Sequence, residues 1–345
     1  MKVAILTNLI QDYTGHINIG DVFIRFGLQY ILDQALKPEE IEWHLVSRFS
    51  KLKQHDLDLM KTCDFIIYGG MPQYNNLDDW KLYYDDEIWD DLNALNVPIL
   101  RLAGGGGYPS ESWTPEQFRE HLNKSDLTKD ILKKSMSNCK LVTTRDIMAQ
   151  SFLVSNGIDS KLLACSGTFA PLFMGITETS KKINAICLTA EYLKHREDKD
   201  LLVEEFKKTK KYLEDTTGKP CVVIAQVKKN DIPFLEEHFD DVVHRDNHMH
   251  ILEVYKDVDI CVSTRLHCAL PIHGIGGRVV LVRVDTRASA GKELGIPIIE
   301  LSKYTNEQFV DIVENNKFSK MSPQVSLNKC IDFYRKKMIQ IRTGM

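Results

Sequence analysis

Asp259-Ile260-Cys261-Val262-Ser263-Thr264-Arg265-Leu266-His267 is an apolar run of strand length that ends in hydroxyls, an arginine and a histidine. Its continuous apolar character suits a parallel strand covered on both faces. Open α/β sheets bind ligands at the carboxyl ends of such strands. Arg265 and His267, two apart at a strand-to-helix turn, can therefore reach one substrate. From Cys261 to Lys292 the basic residues are Arg265, Arg278, Arg283, Arg287 and Lys292, opposed only by Asp285. The whole chain carries a net charge of −4, so this local excess predicts a pocket for a multiply charged anion. Guanidinium forks suit that task because they grip carboxylate and phosphate in bidentate fashion. A lone histidine is most often a satisfied structural group; the company of His267 favours a functional one.

The same alternation of apolar run and amphipathic stretch extends along the chain. Runs at Val3–Leu6, Phe65–Tyr68, Ile99–Leu102, Leu141–Thr143, Ala185–Leu188, Val222–Ala225 and Val279–Val282 read as further buried strands. Helical patterns lie between them at Asp21–Leu36, Arg145–Ser155, Leu201–Thr216 and Asn306–Glu314. This predicts an α/β protein of two Rossmann-like, doubly wound domains, and 345 residues suit two domains of about 150 each. The pattern breaks in a Gly, Thr, Pro and Ser stretch at 166–182 and restarts at Ile183. The expected division is a first domain at 1–165, a linker at 166–182, a second domain at 183–325 and a terminal helical segment at 326–345. That last segment is expected to pack back across the hinge, with the ligand cleft between the domains.

Composition narrows the function. Apolar residues are 43% and charged residues 27%, which excludes a disordered or collagen-like chain. The slightly acidic balance argues against nucleic acid as a partner. Eight cysteines are too sparse for a disulfide scaffold, and Cys63, Cys187, Cys221 and Cys261 adjoin apolar runs as reduced core thiols do. The amino terminus does not read as a signal peptide, and no apolar run approaches the roughly 20 residues needed to span a bilayer. The expected compartment is a reducing cytoplasm.

Several other segments carry candidate chemistry. Asn18-Ile19-Gly20-Asp21 opens the first helix, where Asn18, Gly20 and Asp21 suit either a plain cap or backbone contact with a ligand. Gly69-Gly70 and Gly104-Gly105-Gly106-Gly107 each follow an apolar run and read as ligand-facing loops, although neither forms a P-loop or a complete dinucleotide fingerprint. Asp78, Asp79, Asp85, Asp86, Glu87, Asp90 and Asp91 alternate with Trp80, Tyr83, Tyr84 and Trp89. A solvated helix with buried aromatics is favoured there over a sugar-facing lobe. Arg145 follows Thr143-Thr144 and is either a donor contact or half of an ion pair with Asp146. His244, His248 and His250, with Asp246, hint at metal ligands. The pattern instead makes Asn247 the cap of a helix through Tyr255, which puts His248 and His250 on different faces, so no metal site is expected.

In this order the motifs resemble the polysaccharide pyruvyltransferase family. The resemblance rests on Asn18-x-Gly20-Asp21, Asp64-x-x-Ile67-x-Gly69-Gly70, Gly104–Gly107, Thr144-Arg145-Asp146 and Ser263-x-Arg265-Leu266-His267, spanning about residues 3 to 295. It implies a glycosyltransferase-B-like pairing of domains, the first on the acceptor side and the second on the donor side. The implied reaction moves the enolpyruvyl carbons of phosphoenolpyruvate onto hydroxyls of a glycan or activated sugar precursor. His267 would be the acid and Arg265 the donor anchor, with Arg145, Arg283, Arg287 and Lys292 as further anion contacts. Phosphoenolpyruvate enters as a co-substrate, and neither a cofactor nor a metal is expected. This chain departs from the pattern at Pro271, which should kink or delay the helix after His267, and at Cys165–Phe169, which lacks an Asp-Pro pair. Two other readings fit the same residues: a nucleotide-sugar glycosyltransferase, and a non-catalytic carbohydrate- or anion-binding protein.

Overall fold

A computed structural model describes residues 1–7, 19–48, 51–69, 72–78, 87–108, 110–225, 232–245 and 247–343. The chain forms two compact units. One comprises Met1–Tyr108, Trp113–Ser166 and Leu327–Met345; the other comprises Pro109–Ser112 and Gly167–Ser326.

The first unit is built on β1 (Lys2–Thr7), β2 (Glu42–Ser47), β3 (Phe65–Gly69), β4 (Pro72–Tyr74), β5 (Ile99–Gly106), β6 (Cys139–Thr144) and β7 (Lys161–Leu162). All pairings are parallel, in the order β2-β1-β3-β5-β6-β7, with β4 joined separately to β5. Both faces of the sheet are buried, which is why its central strands are largely apolar, with Arg101 of β5 a buried exception. On one face Ala4, Leu6, Ile66, Tyr68 and Ile99 pack against Ile88, Trp89 and Leu92 of the helix Glu87–Ala94. The last helix, Pro323–Thr343, belongs to this unit from Leu327 onward. There Tyr334 shares a 2.9 Å hydrogen bond with Thr143, and Arg335 Nε donates to the carbonyl of Ala35 at 3.2 Å.

The second unit has β8 (Ile183–Cys187), β9 (Cys221–Ala225), β10 (Val242–His244), β11 (Val258–Ser263), β12 (Arg278–Arg283) and β13 (Ile298–Glu300). They are parallel in the order β10-β9-β8-β11-β12-β13. Successive strands add on one side of β8 and then on the other, so the order reverses between β8 and β11. Crevices at such reversals are where doubly wound sheets bind ligands. Ile186, Val223, Ile260, Val262 and Val280 pack on one face against Leu202, Phe206 and Leu213 of the helix Lys199–Thr217. The two Rossmann-like, doubly wound domains expected from the sequence are therefore present.

All eight cysteines are free thiols, and all but Cys139 are buried. Among the described residues no helix is long and apolar enough to cross a membrane.

Candidate active site

The amino end of β11 is fixed by Asp259, which is buried and bound by Lys219 and Arg278. Burial works to raise its pKa, but those two cations hold it below the usual carboxylate range. Arg278 is thereby committed at the end of the strand away from Arg265. It drops out of the anion-binding excess that the sequence suggested.

At the carboxyl end, side chains tie β11 to β8. The Thr264 amide donates to the carbonyl of Cys187 and its hydroxyl accepts from the Thr189 amide, both at 2.9 Å. Ser263 Oγ accepts from the Arg265 amide at 3.0 Å and donates to the Arg265 carbonyl at 2.8 Å. Arg265 then caps the helix Leu266–Gly274 through its backbone, with φ −107° and ψ 112°. Its carbonyl accepts from the amides of Cys268 and Ala269. His267 is non-helical, at φ −86° and ψ 15°. The cause lies four residues on. Pro271 has no N–H to donate to the His267 carbonyl, and its ring would clash with that carbonyl in a regular helix. The expected kink is present and falls on the histidine. Arg265 and His267 are both half-buried, whereas Leu266, Cys268, Ala269 and Leu270 are buried, so the turn presents the two polar side chains from an apolar base.

The neighbouring strand ends add further charges. Asp285 follows β12, and its carboxylate accepts from the Arg287 amide at 2.8 Å, Arg287 Nε at 2.9 Å and the Tyr192 hydroxyl at 3.2 Å. Arg287 Nη2 in turn donates to the Tyr192 oxygen at 2.9 Å. Burial pushes Asp285 upward, but Arg287 keeps it below the ordinary carboxylate range, so it is ionised at neutral pH. The Tyr192 phenol is raised by burial against the pull of Arg287 and Arg265, and stays protonated. Arg283 is buried at the end of β12, which lowers its pKa against the influence of Glu300, Asp285 and Glu111. Tyr192 escaped the sequence reading. Its signal was its place in the Thr189-Ala190-Glu191-Tyr192 segment, directly after the first strand of this sheet.

The structure groups Arg265, His267, Arg283 and Arg287 at adjacent strand ends of one sheet. Lys292 lies exposed on the 3-10 stretch Thr286–Leu294, and no described bond joins it to Tyr192, Asp285 or Arg287.

Several expected contacts are corrected. Arg145 belongs to the first unit and has no exposed surface, so it presents nothing to a donor. It lies 3.9 Å from Asp146 and against Gly105, where a Cβ would come within 2.3 Å of its Nε. Asp146 caps the helix Ile147–Ser155, accepting from the Ala149 amide at 2.8 Å, and burial raises its pKa to about 6. Gly104, Gly105 and Gly106 form no loop. They are the buried end of β5, and Cβ atoms on Gly104 and Gly106 would collide with the rings of Tyr74 and Phe118. Gly69 is likewise a buried strand residue, the last of β3. Gly107 lies just past β5, its amide donating to the Tyr74 carbonyl at 3.4 Å. Gly20 and Asp21 are buried in the first turn of the helix Ile19–Leu36. Asn18 and Gly70 lie outside the described residues.

His248 and His250 fall on the helix His248–Tyr255, capped by Asn247, whose side-chain oxygen accepts from the Met249 amide at 2.7 Å. His244 Nδ1 sits 3.3 Å from the Ala225 carbonyl at the edge strand β10; Asp246 lies outside the described residues. Among the described residues no group of His, Cys, Asp and Glu could hold a metal ion. Of the acidic aromatic stretch, Trp89 is buried and Asp90 pairs with Lys134. Asp79, Trp80, Tyr83, Tyr84, Asp85 and Asp86 lie outside the described residues.

The family model for polysaccharide pyruvyl transferases matches residues 18–271, well over half of the chain. The chain belongs to that family. No curated protein matches the sequence. Among solved structures, UDP-GlcNAc 2-epimerase from Neisseria meningitidis bound to UDP-GlcNAc is similar over 99% of this chain and 100% of its own, with a TM-score of 0.53 and 10% identity. An S. aureus structure of MnaA with UDP gives a TM-score of 0.54 at 11% identity, covering 99% of this chain and 96% of its own. The UDP-GlcNAc 2-epimerase of Methanocaldococcus jannaschii gives 0.53 at 10% identity over the whole of both chains. At these identities the likeness concerns the fold alone. This polysaccharide pyruvyl transferase family member thus shares a two-domain fold with the epimerases, while its chemistry has to be read from its own residues.

Proposed function

We propose that this protein transfers the enolpyruvyl carbons of phosphoenolpyruvate to two hydroxyls of a glycan or activated sugar precursor, forming a pyruvate ketal. The observation that carries the reading is the turn after β11, where Arg265 and His267 stand two residues apart, both half-buried, and Pro271 breaks the helix at the histidine. A strand end at the point where sheet order reverses is the place for an anionic donor. Arg265 grips the donor carboxylate or phosphate, and Arg287, held in place by Asp285 and Tyr192, adds a second guanidinium on the adjacent strand end.

The chemistry balances without an oxidant or reductant. His267 as imidazolium protonates the methylene carbon, which becomes the methyl group, and a cation develops at the neighbouring carbon. One sugar hydroxyl adds to that carbon, the bond to the phosphate oxygen breaks, and a second hydroxyl completes the ketal. Of the two hydroxyl protons, one restores His267 and the other leaves with phosphate.

Thermal-shift measurements with phosphoenolpyruvate and a panel of nucleotide sugars test the donor. Stabilisation by phosphoenolpyruvate is expected. Stabilisation only by a nucleotide sugar would favour a glycosyltransferase, and by neither a binding protein. Arg265→Ala should weaken donor binding more than tenfold, since a hydrogen bond to a charged group contributes about 1.5–3 kcal/mol. His267→Gln should still bind donor and lose about 10²-fold or more in turnover. Normal turnover in a folded His267→Gln protein would refute the acid assignment.

A further inference from the structure

Arg101 lies within β5 of the first unit and is only 4% exposed. Its guanidinium carbon is 4.9 Å from the ring centre of Tyr74, 5.1 Å from that of Trp89 and 5.8 Å from that of Tyr68. Nε donates to Gln73 Oε1 at 3.2 Å, and Nη1 donates to Ser135 Oγ. Both acceptors are neutral, and no described carboxylate pairs with this cation. Ring faces and neutral oxygens offset only part of the cost of removing a full charge from water.

A cavity of about 30 Å³ adjoins the guanidinium, which is room for one or two species the size of a water molecule. Arg48 contributes to its wall as well, and none of the described lining residues is acidic. Two wall residues hold buried polar atoms that have no hydrogen-bond partner, the Tyr74 hydroxyl and Asn75 Oδ1. Burial pushes the Tyr74 phenol up to about 12, so its proton remains available to donate. A half-turn of the Asn75 amide would replace its oxygen by an N–H donor.

We propose that this cavity is a binding site for one small monovalent anion of halide size, held chiefly by Arg101 with the Tyr74 hydroxyl as a further donor. The anion supplies a counter-charge that none of the described residues gives the buried guanidinium. A polyatomic acid such as gluconate exceeds the space, so the site discriminates by size. It belongs to the first unit and is independent of the reaction proposed for the Arg265 turn in the second.

The test uses the whole protein in sodium bromide or chloride and in sodium gluconate at equal ionic strength. Crystals grown in bromide should show an anomalous peak beside the Arg101 guanidinium. The melting temperature should rise by about 3–5 °C for each tenfold increase in halide above its dissociation constant, and should stay flat in gluconate. Arg101→Met should abolish both effects. Tyr74→Phe serves where Arg101→Met fails to fold. It should reduce the halide dependence if an anion is bound. In a cavity holding only water, deleting an unpartnered hydroxyl should leave the halide and gluconate values alike. Absence of the bromide peak, or equal melting temperatures in halide and gluconate for the wild type, would overturn the proposal.

Discussion

His273 lies in the last turn of the helix that carries His267, and it is 5% exposed. Its Nε2 is buried without a hydrogen-bond partner, and burial lowers its pKa from 6.5 to about 4. The folded protein therefore keeps this imidazole neutral where the unfolded chain would charge it. Stability is fully present above the unfolded pKa and is lost as the pH falls from about 6.5 towards 4. At about 1.36 kcal/mol per unit, the full loss is about 3.4 kcal/mol, and about 2.5 kcal/mol of it falls between pH 7 and 4.5. Urea unfolding of the wild type and His273→Met at those two pH values isolates this contribution, because the other titrating groups are common to both proteins. The variant should lose about 2.5 kcal/mol less than the wild type on acidification. Equal losses would refute the assignment of a neutral imidazole with an unpartnered Nε2 at this position.

Asp146 should titrate with the opposite sign. Its folded pKa of about 6 exceeds the unfolded value, so its contribution is present at low pH and lost as the pH rises through 6. Wild type should therefore gain stability relative to Asp146→Asn as the pH is lowered from 7 to about 4, which urea midpoints of the two proteins would reveal. Gly106→Ala places a Cβ 2.6 Å from a fully buried Phe118 ring and should cost about 1–3 kcal/mol while donor affinity stays unchanged. A fall in affinity at undiminished stability would return Gly106 to the ligand. Pro271→Ala restores an N–H opposite the His267 carbonyl. The melting temperature should rise while turnover falls at least several-fold, and a rise in both would remove the kink from the mechanism.

Every strand legible in the sequence proves to be an internal strand of its sheet, and the four edge strands β2, β7, β10 and β13 were missed. The reason is physical. An internal parallel strand is covered on both faces and is therefore mostly apolar, whereas an edge such as Val242–His244 is only half-buried and needs no such run. The short strand Pro72–Tyr74 was missed as well. The start of the helix His248–Tyr255 was readable because the Asn247 side chain caps it. The glycine run misled because composition reveals permissiveness and not its use. That Tyr74, Arg145 and Phe118 occupy the space of the absent side chains becomes visible only in three dimensions. Arg145 misled for a related reason: its position after a strand was readable, its complete burial was not. The place of Arg265 and His267 at a strand-to-helix turn was legible because a strand, a turn and a proline lie within a dozen residues and fix their surroundings locally.

The closed thiols give this molecule an internal clock. Of the buried cysteines, Cys63, Cys165 and Cys330 lie in the first unit, and Cys187, Cys221, Cys261 and Cys268 in the second. Alkylation requires an accessible thiolate, and burial drives the thiols of Cys187 and Cys268 far from ionising. Each buried cysteine can therefore react only when its own surroundings come apart, and its modification rate reports how often that happens. Because the two sets of thiols fall on separate stretches of sequence, mass analysis of labelled peptides would time the opening of each unit separately, in one tube and without a denaturant.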